Sequence, residues 1–280
     1  MLNWQKNNLT VVFSALLLVL SSLILSVNVH AAPTSELIDF WDESDEENTN
    51  TIDHSKWQTV LDTYLVSNHP SGINRFNYKA VSKADKSALE SYISDLKNTD
   101  PREYNLAEQK AYWINLYNAL TVNLILDNYP VKSITKLGGF FSFGPWDKEI
   151  ITIEGETLTL NNIEHGILRP IWKDNRIHYA VNCASMGCPN LSATAFTAEN
   201  TEALLDQSAK DYVNHTRGVK IEGDKMQVSS IYEWYKVDFG GTDASLIEHL
   251  KLYAEPQLQE KLNSFSGKIT DSYDWSLNQP

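Results

Sequence analysis

Apolar positions along the chain follow a helical period in some stretches and a period of two in others. Residues 55–66 place Trp57, Val60, Leu61 and Tyr64 on one face behind a candidate cap, Ser55, and predict a helix. Asn68 to Gly72 interrupt it. Residues 83–96 repeat the pattern with a stripe of Leu89, Tyr92, Ile93 and Leu96. Residues 105–128 are apolar nearly all round, which predicts a central, buried helix. Glu108, Tyr112, Asn115 and Ala119 fall on one narrow stripe of it, and buried polar side chains there need partners.

After Pro130 the pattern shortens. Leu137 to Trp146 is a loop rich in glycine and aromatic residues. Residues 148–153 and 156–160 predict a hairpin around Gly155. A short helix over 162–168 stops at Pro170, and 177–182 reads as a short strand. A helix over 202–214 precedes a second hairpin, 219–221 with 226–228. Helices follow over 231–236, 244–253 and 256–263. Ser230 and Glu233 have the spacing of a capping box, and the aromatics that follow read as core. Residues 32–55 are acidic and irregular, and 266–280 read as a loose tail. The expected class is α+β: one helix-rich domain over 56–265 with a small antiparallel sheet built from short hairpins.

The N-terminus changes the setting. Lys6 precedes an apolar run from Val11 to Val27, and Val29-His30-Ala31 offers small residues for cleavage. This three-part layout predicts a secretory signal over 1–31 and a periplasmic or extracellular protein, with an uncleaved membrane anchor as the alternative. No later run approaches the roughly 20 apolar residues that span a bilayer. Those 31 residues hold one lysine and no acid. The remainder therefore carries 22 basic against 36 acidic residues, a balance of −14. That field argues against nucleic acid and anionic membrane surfaces as partners, and the expected partner is a small-molecule or peptide ligand. With 42% hydrophobic and 11% aromatic residues the chain can bury a sizeable core.

The candidate chemistry centres on residues 178–189, His178-Tyr-Ala-Val-Asn182-Cys183-Ala-Ser-Met-Gly-Cys188-Pro189, where a predicted strand enters a turn of small residues holding the only two cysteines. Three readings stay open. Either thiol can be a nucleophile, with N–H groups of the turn as an oxyanion hole. The pair can form a disulfide, which an oxidising compartment permits. The pair can ligate a metal, although Cys-x4-Cys is not a usual zinc spacing. No cofactor is expected and no residue is assigned as a metal ligand. In an extended strand His178 would lie about 16 Å along the chain from Cys183. His165, opening the 162–168 helix, is therefore the preferred base, and Glu108 or Asn115 its orienting group. Arg169, four residues on, can clamp a carboxylate, or sit in a surface ion pair. Glu164 has the alternative of a capping role behind Asn161.

Four ordered motifs carry a resemblance. They are residues 108–120 (EQKAYWINLYNAL), 158–169 (LTLNNIEHGILR), 178–189 (HYAVNCASMGCP) and 230–239 (SIYEWYKVDF), with 76–80 (FNYKA) as an opening segment. Over about 57–255 the chain resembles the family called domain of unknown function 547, whose members occur in bacteria, often exported, and in plants. The resemblance implies pattern positions at Glu108, Asn115, Asn118, Glu164, His165, Arg169, His178, Asn182, Cys183, Cys188 and Pro189. It implies no activity. Two positions depart from the pattern: Gly187 stands where serine is usual, and Ala184 where glycine is frequent. The leading expectation is an exported thiol-dependent hydrolase or acyl transferase acting on an amide or thioester. The alternatives are a binding module closed by a Cys183–Cys188 disulfide and a metal-binding protein.

Overall fold

Three N-terminal helices form as the apolar period predicts: α1 (Ser55–Tyr64), α2 (Lys83–Lys97) and α3 (Leu106–Asp127). The structure is a computed structural model that describes residues 33–139 and 144–280. The expected signal over 1–31 and Phe140–Phe143 of the aromatic loop lie outside the described residues. Side-chain caps set two helix starts: Ser82 accepts from the Asp85 N–H at 3.1 Å and Asn105 from the Glu108 N–H at 3.0 Å. Between α1 and α2, β1 (Leu65–Val66) pairs antiparallel with β2 (Arg75–Phe76). Helix α3 is buried on every side from Glu108 to Val122, and the first hydrophobic cluster surrounds it.

The hairpin of β3 (Ile151–Ile153) and β4 (Glu156–Leu158) forms as predicted. The following helix is a π-helical turn, Asn162–Leu168, that runs into α4 (Arg169–Trp172). The wider winding suits a functional position. The irregular lead-in docks on this turn: the Glu36 and Ile38 N–H groups donate to the carbonyls of His165 and Gly166. A Cβ at position 166 would stand 2.5 Å from Ile38 Cδ1, so the glycine permits that approach.

The predicted strand over 177–182 does not form. Residues Asn175–Tyr179 make a 3-10 turn. Asp174 caps it by accepting from the Arg176 N–H, and Asp174 also takes the buried Lys110 ammonium at 2.8 Å. These local bonds override the strand propensity of Ile177, Tyr179 and Val181.

The second hydrophobic cluster gathers α5 (Thr201–Val213), β5 (Val219–Glu222), β6 (Lys225–Ser229), α6 (Ser230–Trp234), α7 (Asp243–Tyr253) and α8 (Pro256–Ser264). The architecture is α+β: helices with small sheets. The third sheet differs from expectation because β7 (Lys268–Ser272) joins β6 in parallel. Ser230, expected as a cap, instead donates its hydroxyl to Asp271 at 2.6 Å, and Ser229 provides the cap.

The loose tail expected over 266–280 is therefore corrected. After β7 the chain returns to the first cluster, where Leu277 and Asn278 are buried. Asn278 accepts from the Phe76 N–H through its carbonyl and from the Tyr78 hydroxyl through Oδ1 at 2.8 Å. Among the described residues no helix is long and apolar enough to cross a membrane. The Leu277→Ala variant should lose about 2–5 kcal/mol in urea unfolding, the cost of a cavity in a packed core. A loss below about 0.5 kcal/mol would mark the segment as a surface tail.

Candidate functional site

Residues 178–189 run along the seam between the two clusters: Tyr179 packs in the second, Val181 and Ala184 in the first. Asn118, fully buried on α3, donates to the Ala180 carbonyl at 2.9 Å and accepts from the Asn182 N–H at 2.8 Å. Asn182 then closes the turn. Its Oδ1 accepts from the Ala184 N–H at 2.9 Å and its Nδ2 donates to the Pro189 carbonyl at 2.7 Å. Ala184 adopts φ +57°, a left-handed conformation that glycine enters more freely. The family's frequent glycine at this position has that physical reason.

Both cysteines are free. Cys183 is half-buried and Cys188 buried. The Cys183 sulfur lies 3.0 Å from the Tyr273 hydroxyl and 3.1 Å from the Ser185 hydroxyl, and these two hydroxyls are 3.1 Å apart. The Cys183 N–H points at the Cys188 sulfur at 3.1 Å. Burial alone would raise the Cys183 thiol, but hydrogen bonds with Cys188, Ser185 and Tyr273 outweigh it and bring its pKa down. Cys188 goes the other way: burial and the neighbouring Cys183 push it far up. Burial and the nearby thiols likewise keep Tyr273 protonated, hence a donor.

The C-terminal segment presses on this turn. The Met186 and Gly187 N–H groups donate to the carbonyls of Ser276 and Asp274, each at 2.8 Å. A Cβ at position 187 would stand 2.8 Å from the Asp274 nitrogen. The departure to glycine at 187 thus matches the seat of the segment that delivers Tyr273. Trp234, Tyr273 and Trp275 pack ring on ring beside the thiol, and Trp146 of the aromatic loop packs on Trp275.

A second cluster adjoins the first. His178 Nε2 is 2.7 Å from Asp238 Oδ2, and Nδ1 faces Glu164 Oε1 at 3.4 Å, an ion-pair distance without hydrogen-bond alignment. Arg169 donates to the same Asp238 oxygen at 2.7 Å, to the Pro33 carbonyl, and to His165 Nδ1 at 3.1 Å. The Tyr235 ring stacks on His178 at 4.1 Å and lies under the Arg169 guanidinium. Burial would raise Glu164, but His165, His178 and Arg169 outweigh it and bring its pKa down to about 2. Burial would likewise raise Asp238, yet its bonds with His178 and Arg169 hold it far below the usual carboxylate range. Burial would lower His178, but Asp238 and Glu164 raise it. His165 is lowered, by burial first and by the Arg169 and His178 charges.

Several expected roles change. Among the described residues no histidine nitrogen hydrogen-bonds either sulfur, so His165 is not placed as the base. Its Nδ1 accepts from Arg169. Glu108 does not orient it: Glu108 accepts from the Ile52 N–H at 2.6 Å and holds the lead-in. Asn115 binds both the N–H and carbonyl of Phe196. The polar stripe of α3 is thus a set of clips for loops. Glu164 is no cap, because Asn162 and Thr159 bond each other there and the Glu164 carboxylate turns inward. Arg169 does clamp a carboxylate, that of Asp238, and the guanidinium is buried while Asp238 is half-buried. Five N–H groups that the expected oxyanion hole could draw on, those of 183, 184, 186, 187 and 188, have partners within the protein. No group of three or more His, Cys, Asp or Glu side chains among the described residues is arranged to hold a metal.

Tyr273, Asp238 and Tyr235 had no site role in the sequence reading. Asp238 was visible as the one acid closing the aromatic 230–239 motif. Tyr273 had a weaker signal, in the Tyr and Trp of a supposed tail. Residues 101–213 match the family described as Protein of unknown function, DUF547. That is the family the ordered motifs resemble, over a narrower range. The match spans α3, the π-helical turn and the thiol turn, and stops before Asp238 and Tyr273. No curated protein and no solved structure matches the chain.

The charged cluster sets the pH response. Glu164 and Asp238 are depressed, so their contribution is present above the ordinary carboxylate pKa of about 4 and is lost as pH falls toward about 2. His178 is raised, so its contribution is full below about pH 6.5 and is lost as pH rises through its folded value. Asp238→Ala removes the carboxylate that Arg169 and His178 share and should cost about 3–5 kcal/mol at pH 6, read by urea unfolding. The variant should also lose the decline in stability above pH 6.5. A wild-type-like profile would remove this account of the cluster.

Proposed function

We propose that the protein is an exported thiol-dependent enzyme in which Cys183 accepts acyl groups from thioesters. The observation that carries the reading is the hydroxyl pair at the Cys183 sulfur: Tyr273 at 3.0 Å, and Ser185 at 3.1 Å, which itself donates to the Tyr273 hydroxyl. A thiolate is the nucleophilic form of cysteine, and donors aimed at sulfur stabilise it without a histidine base.

The same donors suit the next step. Attack of the Cys183 thiolate on a thioester carbonyl forms an S–C bond and places negative charge on the carbonyl oxygen. The Tyr273 hydroxyl, itself accepting from Ser185 and no longer needed by the sulfur, turns to that oxygen. The oxyanion then expels the substrate's thiolate and leaves the acyl group on Cys183. An amide would require a proton donor strong enough to release an amine. A thioester releases a thiolate of ordinary pKa near 8.5 and needs far less assistance. Transfer to water or to an acceptor completes the cycle. The ligand is thus a small molecule or peptide bearing an activated acyl group. The N-terminal apolar run and the acidic balance support an exported address.

A short synthetic thioester tests this. Intact and peptide mass spectrometry should place an acyl group on Cys183 and none on Cys188, and Cys183→Ser should take up none. Tyr273→Phe should slow acylation at neutral pH by about tenfold or more, through the lost donor. Equal acylation of wild type and Cys183→Ser, or no acylation, would overturn the reading.

A further inference from the structure

The two thiols are unequal and adjacent, and acyl transfer uses only one of them. Cys183 is half-buried and Cys188 is buried, with the Cys188 sulfur on the Cys183 N–H at 3.1 Å. The backbone brings them together by construction. Asn182 pins both ends of the segment, through the Ala184 N–H and the Pro189 carbonyl. The left-handed Ala184 and the Cys188 N–H to Ser185 carbonyl bond fold it back on itself. Arg217 donates to the Met186 carbonyl at 3.1 Å and Tyr212 to the Gly187 carbonyl at 2.6 Å, so the loop between the thiols is held on its far side too.

We propose that Cys183 and Cys188 form a redox-active dithiol that exchanges with the disulfides of small thiols or proteins, a second activity resting on Cys183 being the nucleophile. The Cys183 thiolate attacks one sulfur of the external disulfide. The S–S bond breaks, one external thiolate leaves, and a mixed disulfide remains on Cys183. Cys188 then gives up its proton to the departing thiolate and attacks the Cys183 sulfur. The second external thiolate leaves, and an internal Cys183–Cys188 disulfide forms. The protein dithiol is oxidised and the external disulfide is reduced to two thiols. The asymmetry suits both half-reactions. The lowered, half-buried thiol attacks first, and the raised, buried thiol waits for an electrophile next to it. Disulfides share with thioesters a thiolate leaving group, so one donor-lined sulfur serves both.

The experiment incubates the reduced, full-length protein with oxidised glutathione at neutral pH and follows intact mass. Wild type should end two hydrogens lighter with no glutathione attached, and a dithiol reductant should restore it. Cys188→Ser should accumulate one glutathione on Cys183. Cys183→Ser should stay unmodified, because Cys188 is buried. If wild type keeps the glutathione on Cys183, this inference fails while the nucleophile stands. If neither wild type nor Cys188→Ser reacts and both remain folded by circular dichroism, the inference and the nucleophile reading fail together.

Discussion

The side-chain amide of Asn118 sits in the buried stretch of α3 and bonds the carbonyl of Ala180 and the N–H of Asn182, just ahead of Cys183. A buried amide left without partners costs free energy, so α3 and the thiol turn are coupled in both directions. Asn182 extends the constraint by using its own amide on Ala184 and Pro189. The position of the Cys183 sulfur follows from these two asparagines. The helix supplies rigidity and the turn supplies the irregular backbone that exposes a thiol.

Two charge systems then share the seam without merging. Around Cys183 the donors are neutral hydroxyls and a thiol. Around His178 the neighbours carry full charges: the Asp238 and Glu164 carboxylates, with Arg169 on the same Asp238 oxygen. Tyr235 stands between, its ring stacked on His178 and its hydroxyl pushed far up by burial and by Glu164. Glu164 acts on Cys183 only in the raising direction. The lowered thiol therefore rests on its immediate hydrogen bonds. The charged cluster holds the lead-in, the π-helical turn and the 230–239 segment together through Pro33, Arg169 and Asp238.

Much of the fold was legible in the sequence. Helical periodicity located α1, α2 and α3, and glycine-centred turns located both hairpins. The polar stripe on α3 was visible as a buried line needing partners, though not whose partners they were. The strand expected at 177–182 failed because Asp174 caps a turn just before it and Asn118, remote in sequence, holds Ala180 and Asn182, residues whose neighbours have extended propensity. His165 looked like the base because its chain position beside a loop is visible and its bond to Arg169 is not. Tyr273 was missed for a different reason. A strand that pairs in parallel with β6 across 43 residues leaves no local signature, and the Tyr and Trp that follow it look like a frayed end. Non-local contacts of that kind carry the half of the thiol site that sequence reasoning could not reach.

The central claim is that a helix-anchored turn makes Cys183 reactive. The rate of Cys183 alkylation by iodoacetamide at pH 7 in Asn118→Leu tests it most directly. Leucine keeps the volume and removes both amide bonds. The account predicts that the variant retains its helical circular dichroism while alkylation of Cys183 falls by about tenfold as the thiol pKa rises. A folded Asn118→Leu protein whose Cys183 reacts at the wild-type rate would contradict it.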